Sequence, residues 1–379
     1  MKYHLAAWKA ETGWVRRGGA VDLACADLVL YFGNRHLLGN GEIYHSLRAM
    51  HPESCLLGCS TGGEILGTEI NDETVVAAAI AFEGTRLRAK TIVGVDHPDR
   101  SYDCGRTLAE GLAGAGLRHV FILSDGIHIN GTALLRGLSE VLGDEVVVTG
   151  GLAGDGDRFQ TTLVGCDAPP AEGVVAAVGF YGDRLVVRHG CRGGWDRFGP
   201  ERRITRAEGN VLYELDGQPA LALYKRYLGE EARDLPGSAL LFPLAVRWPG
   251  GGGEVVRTIV GIDEERQGMI FAGEIGTGQV AHLMKGNFDR LVEGAEEAAR
   301  LAIGDGLSGP ALAVLISCIG RKLLLGQRTC DEVEATKAFL GEGVGQIGFY
   351  SYGEISPQVE NATCELHNQT MTITVLTEL

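Results

Sequence analysis

The sequence predicts an α/β protein of two domains, 1–208 and 209–379, with mixed sheets built from duplicated β-α-β units and added antiparallel strands. Three observations predict it. The chain has 379 residues, more than one ordinary core accommodates. An order of apolar strand, amphipathic helix, strand and glycine turn recurs along it. A polar, Gly/Pro-punctuated stretch, WDRFGPERR (195–203), then precedes a fresh run of helical patterning, which sets a domain boundary near 200–215.

In the first unit ADLVLYFGN (26–34) reads as a buried strand and GEIYHSLRAM (41–50) as a helix with Ile43, Leu47 and Met50 on one face. SCLLG (54–58), the glycine turn GCSTGGEI (58–65) and a further strand, VVAAAIAF (75–82), complete it. The second unit repeats the order with RHVFILSDG (118–126), then the helix GTALLRGLSEVL (131–142), which carries Leu134, Leu138 and Leu142 on one face. VVVTGGLAGDG (146–156) and GVVAAVGF (173–180) follow, and the tetrapeptide VVAA stands at both 75–78 and 174–177. A looser third copy runs through LAVLISCIG (312–320), a helix around DEVEATKAFL (331–340) and QIGFYSYGEIS (346–356).

Between the second and third copies, PALALYKRYL (219–228) begins on Pro219, a favoured first-turn residue, and stops at Gly229. WPGGGG (248–253) lies between strand-like runs and reads as a hairpin tip. NFDRLVEGAEEAARLA (287–302) is the longest helix signal, striped by Phe288, Leu291, Val292, Ala295 and Ala299. In this arrangement the glycine turns sit at strand ends, where ligands of α/β proteins usually lie.

Composition excludes several classes of function. The formal charge is −15 and no Lys/Arg stripe stands out, which argues against nucleic acid and an anionic membrane surface as partners. The 9 cysteines include no C-x-x-C, so a reducing cytosol is expected and a disulfide framework is not. The longest apolar runs are strand length, and MKYHLAAWKAETGW lacks the apolar core of a signal peptide. A soluble, cytoplasmic protein is the expectation.

GCSTG matches G-x-S-x-G, the nucleophile elbow of serine hydrolases, which needs a supporting helix directly after the turn. GEILGTEINDETVV follows instead, with Gly67 and no 3.6-residue apolar period. A serine hydrolase using Ser60, with Asp125 and His367 as nominal partners, is therefore the enzyme alternative, and a purely structural adaptor the third reading. The triplet Gly-Glu-Ile stands at 63–65, 273–275 and 353–355. Glu64 and Glu354 read either as solvated acids or, turned inward, as acceptors for a ligand amine, hydroxyl or guanidinium. GLAGAG (111–116) and GLAGDG (151–156) lack the dinucleotide fingerprint, and no P-loop is present, so nucleotide binding has no support.

In chain order, GCSTGGEI, TGGLAGDG, SCIGRKLLLG, GFYSYGEISP and CELHNQTMTITVL closely resemble the signature segments of FIST-domain proteins, and GNVLYELDGQPALALYKRYLG (209–229) resembles the opening of the FIST C-terminal domain. The resemblance covers nearly the whole chain as a FIST N and a FIST C domain. It implies a sensory module for a small ligand such as an amino acid, not an enzyme. It also implies a signal passed to a separate partner, since some bacterial members bind haem, sense nitric oxide and regulate a histidine kinase or cyclic-di-GMP enzyme. Carried over by position, it nominates Cys59, Ser60, Thr61, Glu64, Gly151, Gly154 and Asp155, then Cys318, Arg321, Tyr352, Glu354, His367 and Asn368 as ligand-binding positions.

A haem site needs an axial ligand, usually His, and an apolar pocket. His367, just before the alternating strand MTITVL, is the candidate ligand for a non-covalent haem b, with His128 in SDGIHING the second; covalent attachment is excluded because no C-x-x-C-H occurs. The bland reading of both is a hydrogen-bonded structural histidine. Cys55 and Cys59 share one strand face without a paired His or Cys to complete a zinc site, and Cys318 reads as a small buried hydrophobe. Arg321 is either salt-bridged or a fork for a ligand carboxylate, in which case it and Glu354 would take the two ends of an amino acid.

Overall fold

The computed structural model describes residues 1–19, 25–249, 253–304, 306–307, 309–358 and 363–379. Three sheets of like topology form a core, and a fourth sheet is inserted into the third unit, after its outer strand Leu185–Arg192. Each core sheet is built on one parallel pair: Leu28–Gly33 with Cys55–Ser60, Leu117–Ser124 with Val147–Leu152, and Ala311–Cys318 with Val344–Ser351. An antiparallel strand flanks the first member of each pair, respectively Val75–Ala81, Val175–Tyr181 and Met371–Glu378. Lys2–Lys9, Arg86–Ile92 and Leu185–Arg192 then extend each sheet outward.

The other edge of each sheet is closed by a strand from a different unit. Val164–Cys166 pairs with Cys55–Ser60, Gly353–Pro357 with Val147–Leu152, and Glu64–Leu66 with Val344–Ser351. The exchange runs in one direction around a ring, so the three units form a pseudo-threefold assembly within one chain. The expected segments 1–208 and 209–379 are interleaved by it.

Side-chain pattern explains the layers. The paired strands are apolar on both faces, as strands covered on both sides must be. Their inner faces meet in one core that includes Phe32, Phe121, Ile316 and Phe349, with the Phe32 and Phe349 rings 4.6 Å apart. Helices cover the outer faces: Glu42–Met50 on the first sheet, Ser101–Leu112 and Gly131–Leu142 on the second, Phe288–Ile303 and Thr329–Leu340 on the third. Gly131–Leu142 starts where the Asn130 side chain caps the Ala133 N–H and stops at Gly143, in the left-handed region at φ 68°. Met50 and Phe288, expected on buried faces, are exposed terminal residues of their helices. Ile43, Tyr44 and Leu47 bury the first helix, and Leu291, Ala295, Ala298, Ala299 and Ala302 the second.

WDRFGPERR, the polar stretch read as marking a domain boundary, forms most of a long exposed strand, Asp196–Glu208, which begins the inserted sheet. It pairs with Val280–Lys285 through 196–203 and with Val211–Leu215 through 204–208, with register shifts inside each pairing. Pairing on both sides holds a strand that has no apolar face to announce it. The helix Ala220–Leu228 packs on this sheet through Leu221, Leu223 and Tyr224, and ends at Gly229 as expected. Leu244–Arg247 and Val255–Arg257 pair antiparallel on either side of WPGGGG, whose residues 250–252 lie outside the described residues. No helix among the described residues is long and apolar enough to cross a membrane.

Candidate functional site

The three glycine turns converge where the core strands end. There the Gly62 N–H donates to the Tyr350 carbonyl (2.7 Å), Gly154 to Ser60 (2.9 Å) and Tyr352 to Leu152 (3.3 Å). Two residues before each accepting carbonyl stands a glycine: Gly348, Gly58 and Gly150. A Cβ there would lie 1.9 Å from the Leu315 carbonyl oxygen, 2.4 Å from that of Tyr31 and 1.8 Å from that of Ile122, so only glycine lets the parallel strands approach. Both glycines of the G-x-S-x-G match therefore belong to this ring. A strand, Glu64–Leu66, follows Ser60 in place of a helix. Ser60 is fully buried, and its Oγ accepts the Leu163 N–H at 2.8 Å.

Glu64 and Glu354 occupy matching places and have matching partners. Thr61 Oγ1 donates to one oxygen of Glu64, while the Thr74 N–H and hydroxyl donate to the other. Ser351 and Thr370 treat Glu354 in the same way. Burial drives both carboxyls up, Glu64 to about 7 and Glu354 to about 8, against the pull of these donors. Neither side chain reaches solvent. In the second unit Asp155 is also buried; its carboxylate accepts Tyr352 Oη, Arg35 Nη1 (2.8 Å) and the N–H groups of Gln160 and Thr161. Burial raises its pKa, but these donors outweigh it and hold the carboxyl below its ordinary value.

Two sequence-based assignments need correction. Arg321 is not a free fork beside Glu354: it is fully buried, donates through Nε and Nη2 to Glu332 (3.0 and 2.8 Å) and spends its remaining edge on the carbonyls of Gly193 and Leu291. His367 does not fit a haem ligand. Its Nε2 is 2.9 Å from the Ser356 carbonyl, burial holds its pKa down to about 4, and its ring is enclosed by protein. His128 has Nδ1 3.2 Å from the Asp125 carboxylate, which fits its bland reading as a hydrogen-bonded structural histidine.

Cys55, which lacked a partner in the sequence reading, faces Cys166 of an exchanged strand, with the sulfurs 4.0 Å apart. Those sulfurs and the Asp167 carboxylate lie within 4.8 Å of one another. Asp167 already accepts Arg48 Nη2 and the Leu56 N–H, so a cation placed there would sit against a guanidinium. Cys59 is buried in the inner core, and Gly151 lies within its strand. Asn368 is buried with neither side-chain atom hydrogen-bonded among the described residues.

The room for a ligand lies to one side of the ring. A cleft of about 710 Å³ separates the core from the inserted sheet. The core contributes Gly126, Asn130, Leu152, Cys318 and Tyr352 to its lining, and the insert Thr258, Ile259 and Glu274. Cys318 and Tyr352 are the sequence-nominated residues on this wall. The Tyr352 hydroxyl is turned to Asp155 and the Gly156 carbonyl, and Phe159 stacks on its ring at 4.4 Å. Burial raises the Cys318 thiol above its ordinary value, which removes its thiolate character.

Sequence reasoning did not nominate Asn130, Thr258, Phe159 or Glu274. One signal for Glu274 was present: it belongs to the third Gly-Glu-Ile triplet. Unlike Glu64 and Glu354, it faces the cleft, with Asn130 Nδ2 donating to its Oε1 at 2.9 Å.

Family models match most of the chain: residues 27–218 match the FIST N domain and residues 220–357 the FIST C domain. A search of curated proteins finds no match. Among solved structures the chain is similar to a chorismatase crystal structure, at 10% identity and a TM-score of 0.36, over 99% of this chain and 98% of that one. It is also similar to the cyanuric acid hydrolase from A. caulinodans, at 8% identity and a TM-score of 0.37, over 94% of this chain and 91% of that one. At these values the likeness carries no statement about activity.

Proposed function

Because this chain belongs to the FIST family, we propose that it is a small-ligand sensor whose ligand seats in the cleft between the three-unit core and the inserted sheet. The observation that carries this reading is the cleft itself, about 710 Å³ with walls from both bodies. A ligand there would bridge them and favour one relative placement, which a separate partner can read. The partner class is that implied by the family resemblance, a histidine kinase or a cyclic-di-GMP enzyme. An amino-acid-like metabolite suits the cleft better than haem-bound nitric oxide, since no histidine lines it among the described residues.

Binding is assigned in preference to catalysis. Ser60 is enclosed by protein and satisfied by a backbone donor, and Cys318 lacks thiolate character. A thermal-shift screen of small metabolites tests the sensor reading, with Val260→Trp as the cleft-filling control because Val260 lines the cleft on an exposed stretch of strand. Hits that stabilise the wild type and fail to stabilise the variant are expected. Hits that stabilise both equally, or no hit at all, would overturn the assignment.

A further inference from the structure

We infer that the cleft takes a primary amine carried on an aryl or branched-alkyl body, with its ammonium group at Glu274 and Thr258, and that it makes no provision for a carboxylate. This rests on the proposed sensor role of the same cleft.

Charge is the first ground. Among the described lining residues the charged side chains are Asp157, at the rim, and Glu274; Lys, Arg and His are absent. The guanidiniums behind the wall already have protein partners. Arg257 is buried and donates to the carbonyls of Leu366 and Glu274, and Arg321 is held by Glu332. A ligand carboxylate would therefore enter without a counter-charge and beside an acid, whereas an ammonium gains one. The chain's net charge of −15 adds a long-range attraction for cations.

Glu274 is also positioned in advance. Asn130 Nδ2 fixes Oε1, and Asn130 is itself held because its Oδ1 caps the Ala133 N–H at 3.0 Å. The near cation at Oε2 is Arg136, 3.9 Å away and largely exposed, so this oxygen keeps acceptor capacity. The second ground is Thr258. It is buried on the cleft wall, and its Oγ1 has no hydrogen-bond partner among the described residues. The Ala272 N–H donates to the Thr258 carbonyl at 2.9 Å, which ties its segment to the one that carries Glu274. An ammonium can donate to the hydroxyl and the carboxylate together.

The rest of the wall suits an apolar body. Ile127, Ile129, Leu152, Leu240, Ile259 and Ile319 line it, and the Phe159–Tyr352 stack supplies a flat aromatic surface. The cleft thus matches the amine and side chain of an amino acid without its carboxylate.

Titration calorimetry with phenethylamine, isopentylamine, phenylalanine and 3-phenylpropanoate tests this. Both amines should bind at least about tenfold more tightly than phenylalanine or 3-phenylpropanoate, and Glu274→Gln should weaken them by about tenfold while the melting temperature confirms that it is folded. Thr258→Val should weaken them severalfold. Equal or tighter binding of phenylalanine or 3-phenylpropanoate, or silence from both amines, overturns the amine class and leaves the cleft reading standing. If the amines bind and Val260→Trp does not reduce their affinity, the cleft reading itself fails.

Discussion

The Gly62 amide donates to the Tyr350 carbonyl at 2.7 Å and so joins a turn of the first unit to the strand end of the third. With Gly154 on Ser60 and Tyr352 on Leu152, this contact closes a ring of backbone hydrogen bonds among three units far apart in sequence. Each turn is held by the unit beside it, and the buried acids beneath the turns have internal donors. The ring is a structural hub, and the proposed ligand site is the cleft beside it.

Gly150→Ala should be severely destabilising. Its φ is +150°, and a Cβ would lie 1.8 Å from the Ile122 carbonyl oxygen, so a backbone must move. A loss of at least about 3 kcal/mol in urea denaturation is expected. A loss below about 1 kcal/mol would contradict this strand approach.

Arg321→Met should cost about 3–5 kcal/mol, because it leaves Glu332 as an unpaired buried charge. Adding Glu332→Leu should recover part of that loss, although the Tyr350 and Ser317 hydroxyls then lose their acceptor. A double-mutant cycle measures the coupling; strictly additive losses would mean that the pair does not act as one.

Glu64 and Glu354 should contribute a stability that falls as pH rises from about 5 to 8, opposed below about 6.5 by buried His367 and His119, whose pKa values are held down to about 4 and about 3. The folded-state pKa values of Glu64 and Glu354 are raised to about 7 and about 8 from 4.5, so across that window the folded state binds protons that the unfolded state has released. Their contribution is full below the unfolded value and is lost through the folded one. Glu64→Gln, which needs no ionisation, should flatten the fall by on the order of 2–3 kcal/mol. A pH profile identical to wild type would show that Glu64 is not the titrating group.

Ser60→Ala should lower stability by about 1–2 kcal/mol, since the buried Leu163 N–H loses its acceptor. The wild-type protein should take no label from a fluorophosphonate probe. Labelling at Ser60 that disappears in the variant would restore the hydrolase reading.

The sequence disclosed the repeating core because its signals are local. Strands covered on both faces read as unbroken apolar runs, and the Asn130 cap with Gly143 bounds a helix without reference to anything distant. The third copy looked looser partly because Tyr352 stands in the ring where the first two units have Gly62 and Gly154. Strand exchange was not legible: a three-residue stretch such as Glu64–Leu66 carries no mark of its distant partner strand. Nor was the setting of Glu64, because an acid flanked by glycines suggests solvent or ligand, and its neutralising donors include Thr74, which only folding brings near. The cleft escaped notice for the same reason, with Asn130 and Glu274 meeting across two separate bodies.

The exchanged edges also limit how the chain can be divided. Cut at 208, the N-terminal piece would keep Val147–Leu152 without Gly353–Pro357, and Glu64–Leu66 without the strand it pairs on. Both would present bare hydrogen-bonding edges, a template for aggregation. FIST N and FIST C, separable as patterns of sequence, thus share sheets in this chain, and a fusion that borrows only one of them would be expected to inherit an open sheet.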